Sequence, residues 1–237
     1  MPNILASVGF AALLVAARST VPAQTSARAR PIRLDSTTKF EVTNARVLSV
    51  DYRGRHAIKL APLEGHEHDK DQEMVAVITT SDFKDGVIEV DVAGARRAGY
   101  STTQDSTGFK GIIGLSFRVH GDSAERFYLR PENSRGNDQL YRNRSTQYES
   151  DPDYPWNRLR TEAPGVYESY VDVGSGAWTK LRIVVAGAKA RLYVNGASQP
   201  ALIVNDLKHG ESRGKIALWA RISSDAYFSN LVLEAKP

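Results

Sequence analysis

The sequence predicts an all-β domain, a sandwich or barrel of antiparallel strands, on three observations. From Asp35 onward the apolar residues recur mostly with period two rather than 3.6. The apolar runs are short and are separated by Gly, Asn and Asp turn residues. After the first 34 residues no segment holds three turns of helical periodicity. A length of 237 residues suits one large β domain, and 41% hydrophobic residues suffice for its core.

The elements follow in order. Ile4 to Ala17 is an uncharged apolar run, too short to span a bilayer and of the length of a signal-peptide core. Val21-Pro22-Ala23 supplies small residues for cleavage after Ala23, so residues 1–23 are expected to be a signal peptide. Residues 24–36 are expected to form a flexible linker, and 37–235 the domain. Val47 to Val50, a turn at Arg53-Gly54-Arg55, and Ala57 to Leu60 form a hairpin. Met74 to Ile78 is a strand. In Val87 to Val92, Ile88, Val90 and Val92 share a face. In Gly111 to Val119, Ile113, Leu115, Phe117 and Val119 point one way; Gly114, Ser116 and Arg118 point the other. In Glu125 to Pro131, Phe127 and Leu129 face the core, and Arg126, Tyr128, Arg130 and Glu132 face away. Residues 149–165 are expected to be a long loop. Trp178 to Val185 and Ala190 to Asn195 form a second hairpin, closed beyond by Asn195-Gly196. Gly214 to Ala220 and Ala226 to Leu233 complete the chain.

Composition excludes several functions. Cysteine is absent, which removes disulfides, thiolate catalysis and cysteine metal sites. The net charge of +4 is carried by Arg18, Arg28, Arg30 and Arg33, with no acid among residues 1–34, so the remainder is balanced. A balanced domain carries no electrostatic footprint for nucleic acid. Beyond the leader no stretch is long enough for a membrane span. There is no Gly-x-Ser-x-Gly and no glycine-rich phosphate loop.

Certain segments resemble a known superfamily. A tryptophan opening a strand, a hairpin and "LYVNG" (192–196) are similar to the concanavalin A-like lectin and glucanase superfamily, including laminin G-like modules. "FKDGVIEVDV" (83–92), "GIIGLSFRV" (111–119), "GKIALWA" (214–220) and "AYFSNLVLE" (226–234) resemble the bacterial 3-keto-disaccharide hydrolase domain. The resemblance covers roughly residues 37–233. It implies a two-sheet antiparallel jelly roll that binds or cleaves carbohydrate, in some members with calcium. Pro131 to Gly174 is longer and more charged than that hydrolase domain, so no catalytic residue is transferred.

Four constellations carry chemistry. Glu89 and Asp91 are same-face acids, but Ala93 stands where a third acid would complete a laminarinase-like run, which leaves a solvated strand face. Arg118, Tyr128, Arg130 and Glu132 are expected to form one polar patch. Asn133, Gln139, Tyr141, Arg142, Asn143, Gln147 and Tyr148 follow closely. Guanidinium forks, amides and carboxylates read sugar hydroxyls, and rings stack on C–H faces. Trp156 and Arg158, in Asp151 to Glu162, either anchor that loop or rim the site. The acids Glu64, Glu67 and Asp69 with His66 and His68 read as a solvated charged loop rather than a metal site. For calcium, Asp138, Asp151 and Asp153 would be the acids, without EF-hand spacing, and no cofactor is expected. Three functions remain open: an exported glycan-binding module; a hydrolase using Glu132, Asp138 and Glu162 as donor or base; and an interaction module without a small ligand.

Overall fold

A computed structural model describes residues 29–67, 72–100 and 111–236. The expected leader and its cleavage point lie outside the described residues. The strands are β1 (Arg30–Ile32), β2 (Phe40–Thr43), β3 (Arg46–Tyr52), β4 (Arg55–Ala61), β5 (Glu73–Phe83), β6 (Gly86–Arg96), β7 (Ile113–His120), β8 (Ser123–Leu129), β9 (Thr146–Asp151), β10 (Glu168–Ser169), β11 (Thr179–Ala186), β12 (Lys189–Val194), β13 (Leu202–Val204), β14 (Gly214–Arg221) and β15 (Ser224–Ala235). Three short helices interrupt them: α1 (Pro131–Ser134), α2 (Gln139–Arg142) and α3 (Trp156–Glu162).

The strands form two open antiparallel sheets, which makes the molecule a jelly-roll sandwich rather than a barrel. One sheet runs β13-β12-β11-β6-β15-β4-β3, with β1 also on β15; the other runs β10-β9-β8-β7-β14-β5-β2. β1 lies inside the segment expected as a linker, because Arg30 to Ile32 pair with Leu231 to Leu233.

Alternation sets the core. Ile58, Leu60, Ile88, Val90, Val92, Leu181, Ile183 and Phe228 of the first sheet meet Ile113, Leu115, Phe127, Leu129, Ile216 and Leu218 of the second, all at most 1% exposed. Burying each such side chain contributes about 1.5–3 kcal/mol. Rings run through this layer from Phe83 to Phe117 (6.4 Å between centroids), Phe127 (6.1 Å), Tyr148 (5.6 Å) and Tyr167 (5.5 Å). Tyr148 therefore belongs to the core, not to the polar patch: it opposes Phe127 on β8 and points the same way.

The outer face of the eight-stranded sheet is partly covered by the tip of the β3–β4 hairpin. Tyr52 stacks on Tyr227 (3.7 Å) and Trp178 donates to the Tyr52 carbonyl (3.2 Å). Arg55 pairs with Asp91 at 2.5 Å, and Glu89 lies near Lys180 and Arg182 (3.8 and 3.5 Å). Asp91 is thus covered and paired, whereas Glu89 stays partly solvated.

Arg118 departs from the expected alternation. The β7–β8 register shifts between Phe117 and His120, and Arg118 takes φ +54°. A β-bulge of this kind re-aims one side chain. The guanidinium turns into a cluster of turns at the strand end. It donates to the carbonyls of Lys84 (2.9 Å), Gly187 (2.8 Å) and Gly210 (2.6 Å) and to Asp85 Oδ1 (3.0 Å). Asp85 Oδ1 also accepts from Gly187 N (2.8 Å). Arg118 is thus a clamp between both sheets' connections.

Removing one partner of a buried, hydrogen-bonded charge pair costs on the order of 3–5 kcal/mol. Arg118→Met should lower the unfolding free energy by that amount, read as a lower urea midpoint at an unchanged slope. Arg213→Met, at the exposed pair with Asp82, should change stability by less than about 1 kcal/mol.

Candidate ligand groove

The outer face of the seven-stranded sheet is set out by its register in cross-strand rows. One row reads Glu149 (β9), Arg126 (β8), Ser116 (β7), Ala217 (β14), Val77 (β5) and Glu41 (β2). The next reads Gln147, Tyr128, Gly114, Trp219, Val75 and Thr43. Side chains two residues apart on a strand share a face, so both rows face away from the core.

The second row is sealed from Gln147 to Trp219. Trp219 packs on Tyr128 (5.1 Å between centroids), with Ile112 and Val75 beside them. Gly114 is required here, since a Cβ would lie 2.2 Å from the Phe127 carbonyl oxygen and 2.5 Å from Tyr128 Cβ. Arg126 lies 4.2 Å over the indole, and Trp219 Nε1 donates to Glu73 Oε2 at 2.7 Å. Arg130 donates to the Tyr128 hydroxyl (2.9 Å) and to Gln147 Oε1 (3.3 Å). Gln147 Nε2 donates to the carbonyls of Tyr148 and Tyr167. Burial, tempered by Arg130, raises the Tyr128 hydroxyl well above the ordinary tyrosine value. The expected site residues Tyr128, Arg130 and Gln147 do meet, but as a buried, mutually hydrogen-bonded layer.

The first row stays open. Ser116, Ala217 and Val77 are small, and above them lies a groove of about 480 Å³. It reaches from Asp151 and Arg126 to Glu41 and Thr43 on the β2 edge, with His120, Asp122 and Lys215 along it. Arg126 organises one end. Its Nε donates to Ser116 Oγ (2.9 Å), Nη1 to Glu149 Oε1 (2.5 Å), and Nη2 to Asp151. Glu73 Oε2 lies 3.3 Å from Nη1, and Arg221 pairs with the other Glu73 oxygen at 3.3 Å.

Three carboxylates on one guanidinium do not share its charge equally. Burial lifts the Asp151 carboxyl to about 6, against the attraction of Arg126 and with repulsion from Glu149 and Glu73. Burial also opposes ionisation of Glu73, but Arg126, Arg221 and the Trp219 N–H overrule it and hold Glu73 below the ordinary value. Burial works against the Arg126 cation too, and the three acids more than restore it. The groove therefore offers one acid that holds its proton toward pH 6 and one held ionised.

The remaining expected residues lie elsewhere. Glu132 accepts from Ser175 Oγ (2.5 Å) and from Arg96 N (3.4 Å), tying α1 to its neighbours. Asp138 caps α2 by accepting from Tyr141 N (3.0 Å). Glu162 is exposed on α3 and pairs with Arg158 at 2.6 Å. These acids sit on separate elements, and none lines the groove. Asn133 is buried in α1. Gln139 and Asn143 bond each other (2.7 Å), Arg142 meets Tyr170, and Tyr141 is half-buried on α2. The expected 149–165 loop is instead the end of β9 followed by α3. There Trp156 is half-buried under Arg160 (4.7 Å), its backbone N–H donating to Glu149 Oε2 (3.3 Å), and Arg158 lies over Tyr154 (4.3 Å). Among the described residues no three His, Asp or Glu are arranged to hold a metal ion. Asp138 and Asp151 are taken up by a helix cap and by Arg126; His68 and Asp69 lie outside the described residues.

Sequence reasoning left out Arg126, Glu73 and Glu149, and weighed Asp151 only for calcium. The available signal was the alternation Gln147, Glu149, Asp151, which is the polar face of a strand.

No protein-family model matches the chain, and no curated protein sequence does. Among solved structures it is similar to a Bacillus subtilis protein with a galectin-like fold (TM-score 0.54, 12% identity, 88% of this chain and 96% of that one). It is similar also to the carbohydrate-binding module CBM66 from Bacillus subtilis (0.50, 12%, 84% and 96%). A transglycosylase in complex with NAG gives 0.50 at 11% identity over 90% and 86%. At these identities the likeness is one of fold: a galectin-like, concanavalin A-like sandwich.

The Asp151 carboxyl is harder to ionise in the fold than its ordinary value of 3.8 implies. Between about pH 4 and 6 the native state then holds more protons than the unfolded chain, so this group's contribution to stability falls as pH rises. Asp151→Asn should remove that slope and raise stability at pH 7 by on the order of 1–3 kcal/mol. Glu73 has the opposite sign and another window: its stabilisation is present above the ordinary glutamate value and is lost below it. Urea titrations of both proteins across pH 3–8 read the difference.

Proposed function

We propose that this chain is an exported carbohydrate-binding jelly roll whose ligand lies in the groove over Ser116, Ala217 and Val77. The observation that carries the reading is the groove itself. About 480 Å³ of open space lies within the range of small-ligand sites. Most of its polar groups stand on paired strands, with Asp122 on the tight β7–β8 turn. A rigid platform of that kind holds hydroxyl-reading groups in place without an ordering cost on binding. The sandwich is shared with a carbohydrate-binding module and a transglycosylase, which supports the ligand class. Export rests on the apolar run at Ile4 to Ala17 and the small residues before Gln24.

A second reading, cleavage of a glycosidic bond, has one observation in its favour. Asp151 and Glu73 lie on the same guanidinium with their carboxyls pushed in opposite directions. A proton-holding acid beside an ionised one is the division of labour that acid–base hydrolysis needs. It replaces Glu132, Asp138 and Glu162 as the acids to test.

Val77→Trp should fill the groove floor from the outer face and lower glycan affinity by about tenfold or more, with an unchanged melting temperature. A glycan array followed by calorimetry on the hits measures it. An array on which the parent binds nothing would overturn the proposal. Incubation of the parent with its bound oligosaccharides, with and without Asp151→Asn, separates the readings. Release of sugar that the variant abolishes favours the hydrolase; binding without release favours the module.

A further inference from the structure

The groove's charges face it from six strands and one turn. Glu41 comes from β2, Glu73 from β5, His120 from the end of β7, Asp122 from the β7–β8 turn, Arg126 from β8, Asp151 from β9 and Lys215 from β14. Arg126 would be the natural fork for an acidic ligand, since its planar donors match a carboxylate or sulfate. Here each of its three nitrogens already faces a protein oxygen: Ser116 Oγ, the Glu149 and Glu73 carboxylates, and Asp151. What remains on the lining is Lys215 and the exposed His120 against the surplus acids, with Glu41 and Asp122 both exposed.

Ring stacking is also closed off. No aromatic side chain lines the groove among the described residues. Trp219, which lies on this face, is completely buried, with the Arg126 guanidinium over its indole. Carboxylates facing a ligand accept hydrogen bonds from hydroxyls and repel anions.

We infer that the groove takes a neutral, hydroxyl-rich sugar, held by hydroxyl-to-carboxylate hydrogen bonds rather than by ring stacking, and that it excludes uronic acids and sulfated sugars. This rests on the sugar-binding reading above. Glu41 and Asp122 set the exclusion, because they are exposed, flank the groove from β2 and from the β7–β8 turn, and take no part in the Arg126 network.

The test is calorimetry of the full-length protein against two sets of probes. One holds neutral gluco-, galacto- and fructo-disaccharides; the other holds digalacturonate and sulfated disaccharides. The parent should bind at least one neutral sugar and bind the acidic set at least about tenfold more weakly. The double variant Glu41→Lys with Asp122→Lys should close that gap by about tenfold, with the melting temperature unchanged, as expected for exposed positions. A parent that prefers the acidic set, or a double variant that leaves the gap as it was, overturns the inference while leaving a sugar site standing. A parent that binds neither set overturns the sugar-binding reading itself.

Discussion

A guanidinium buried on a β-sheet must be neutralised within reach, and Arg126 imposes that condition on much of its sheet. An isolated buried charge costs several kcal/mol, so its partners have to arrive from neighbouring strands in register. Glu149 and Asp151 come from β9, Ser116 from β7 and Glu73 from β5, two strands further along. A slip of one residue in any of these strands would turn its partner to the core side. The network therefore specifies strand register on a face where the apolar pattern alone would leave it weaker.

The same constraint divides the face. Arg126 reaches its acids by lying over Trp219, which in turn pairs across the strands with side-chain-free Gly114 and packs on Tyr128. Large side chains crowd one row and leave the adjacent row to Ser116, Ala217 and Val77. The groove is what remains when the bulk has moved to one side. Packing and ligand space thus follow from one arrangement, with the pairing of Arg126 at the boundary between them.

Much of the fold was legible. Ile88, Val90 and Val92, and Ile113, Leu115 and Phe117, alternate cleanly because each faces a core on one side only. Turn residues marked both hairpins. The site was less legible, for three physical reasons. A bulge after Phe117 re-aimed Arg118, and no period-two rule sees a bulge. Pro152 and Pro155 made 149–165 look like a loop, which hid the strand carrying Glu149 and Asp151. β14 inserts between β7 and β5, so Glu73 meets Arg126 through a pairing that no local pattern encodes. Glu132, Asp138 and Glu162 were chosen by nearness along the chain, and each has a local task instead: a tether, a cap and an (i, i+4) pair. Tyr128, Arg130 and Gln147 were grouped correctly because they share hairpin neighbours, but burial is a property of what covers them.

The surplus acid is the feature that stability does not explain. Arg126 and Arg221 supply two positive charges to Glu73, Glu149 and Asp151. Two cations satisfy two carboxylates, and the third is left to hold a proton toward pH 6. An asparagine at 151 would keep an acceptor for Arg126 without the repulsion, so a network shaped only to hold strands together would have no use for the charge. Glu149 is 1% exposed and does not line the groove, whereas Asp151 does. The unneeded carboxyl is thus, like that of Glu73, turned toward open space. Departures from local economy gather where a protein meets its ligand, and this departure lies at the Arg126 end of the groove.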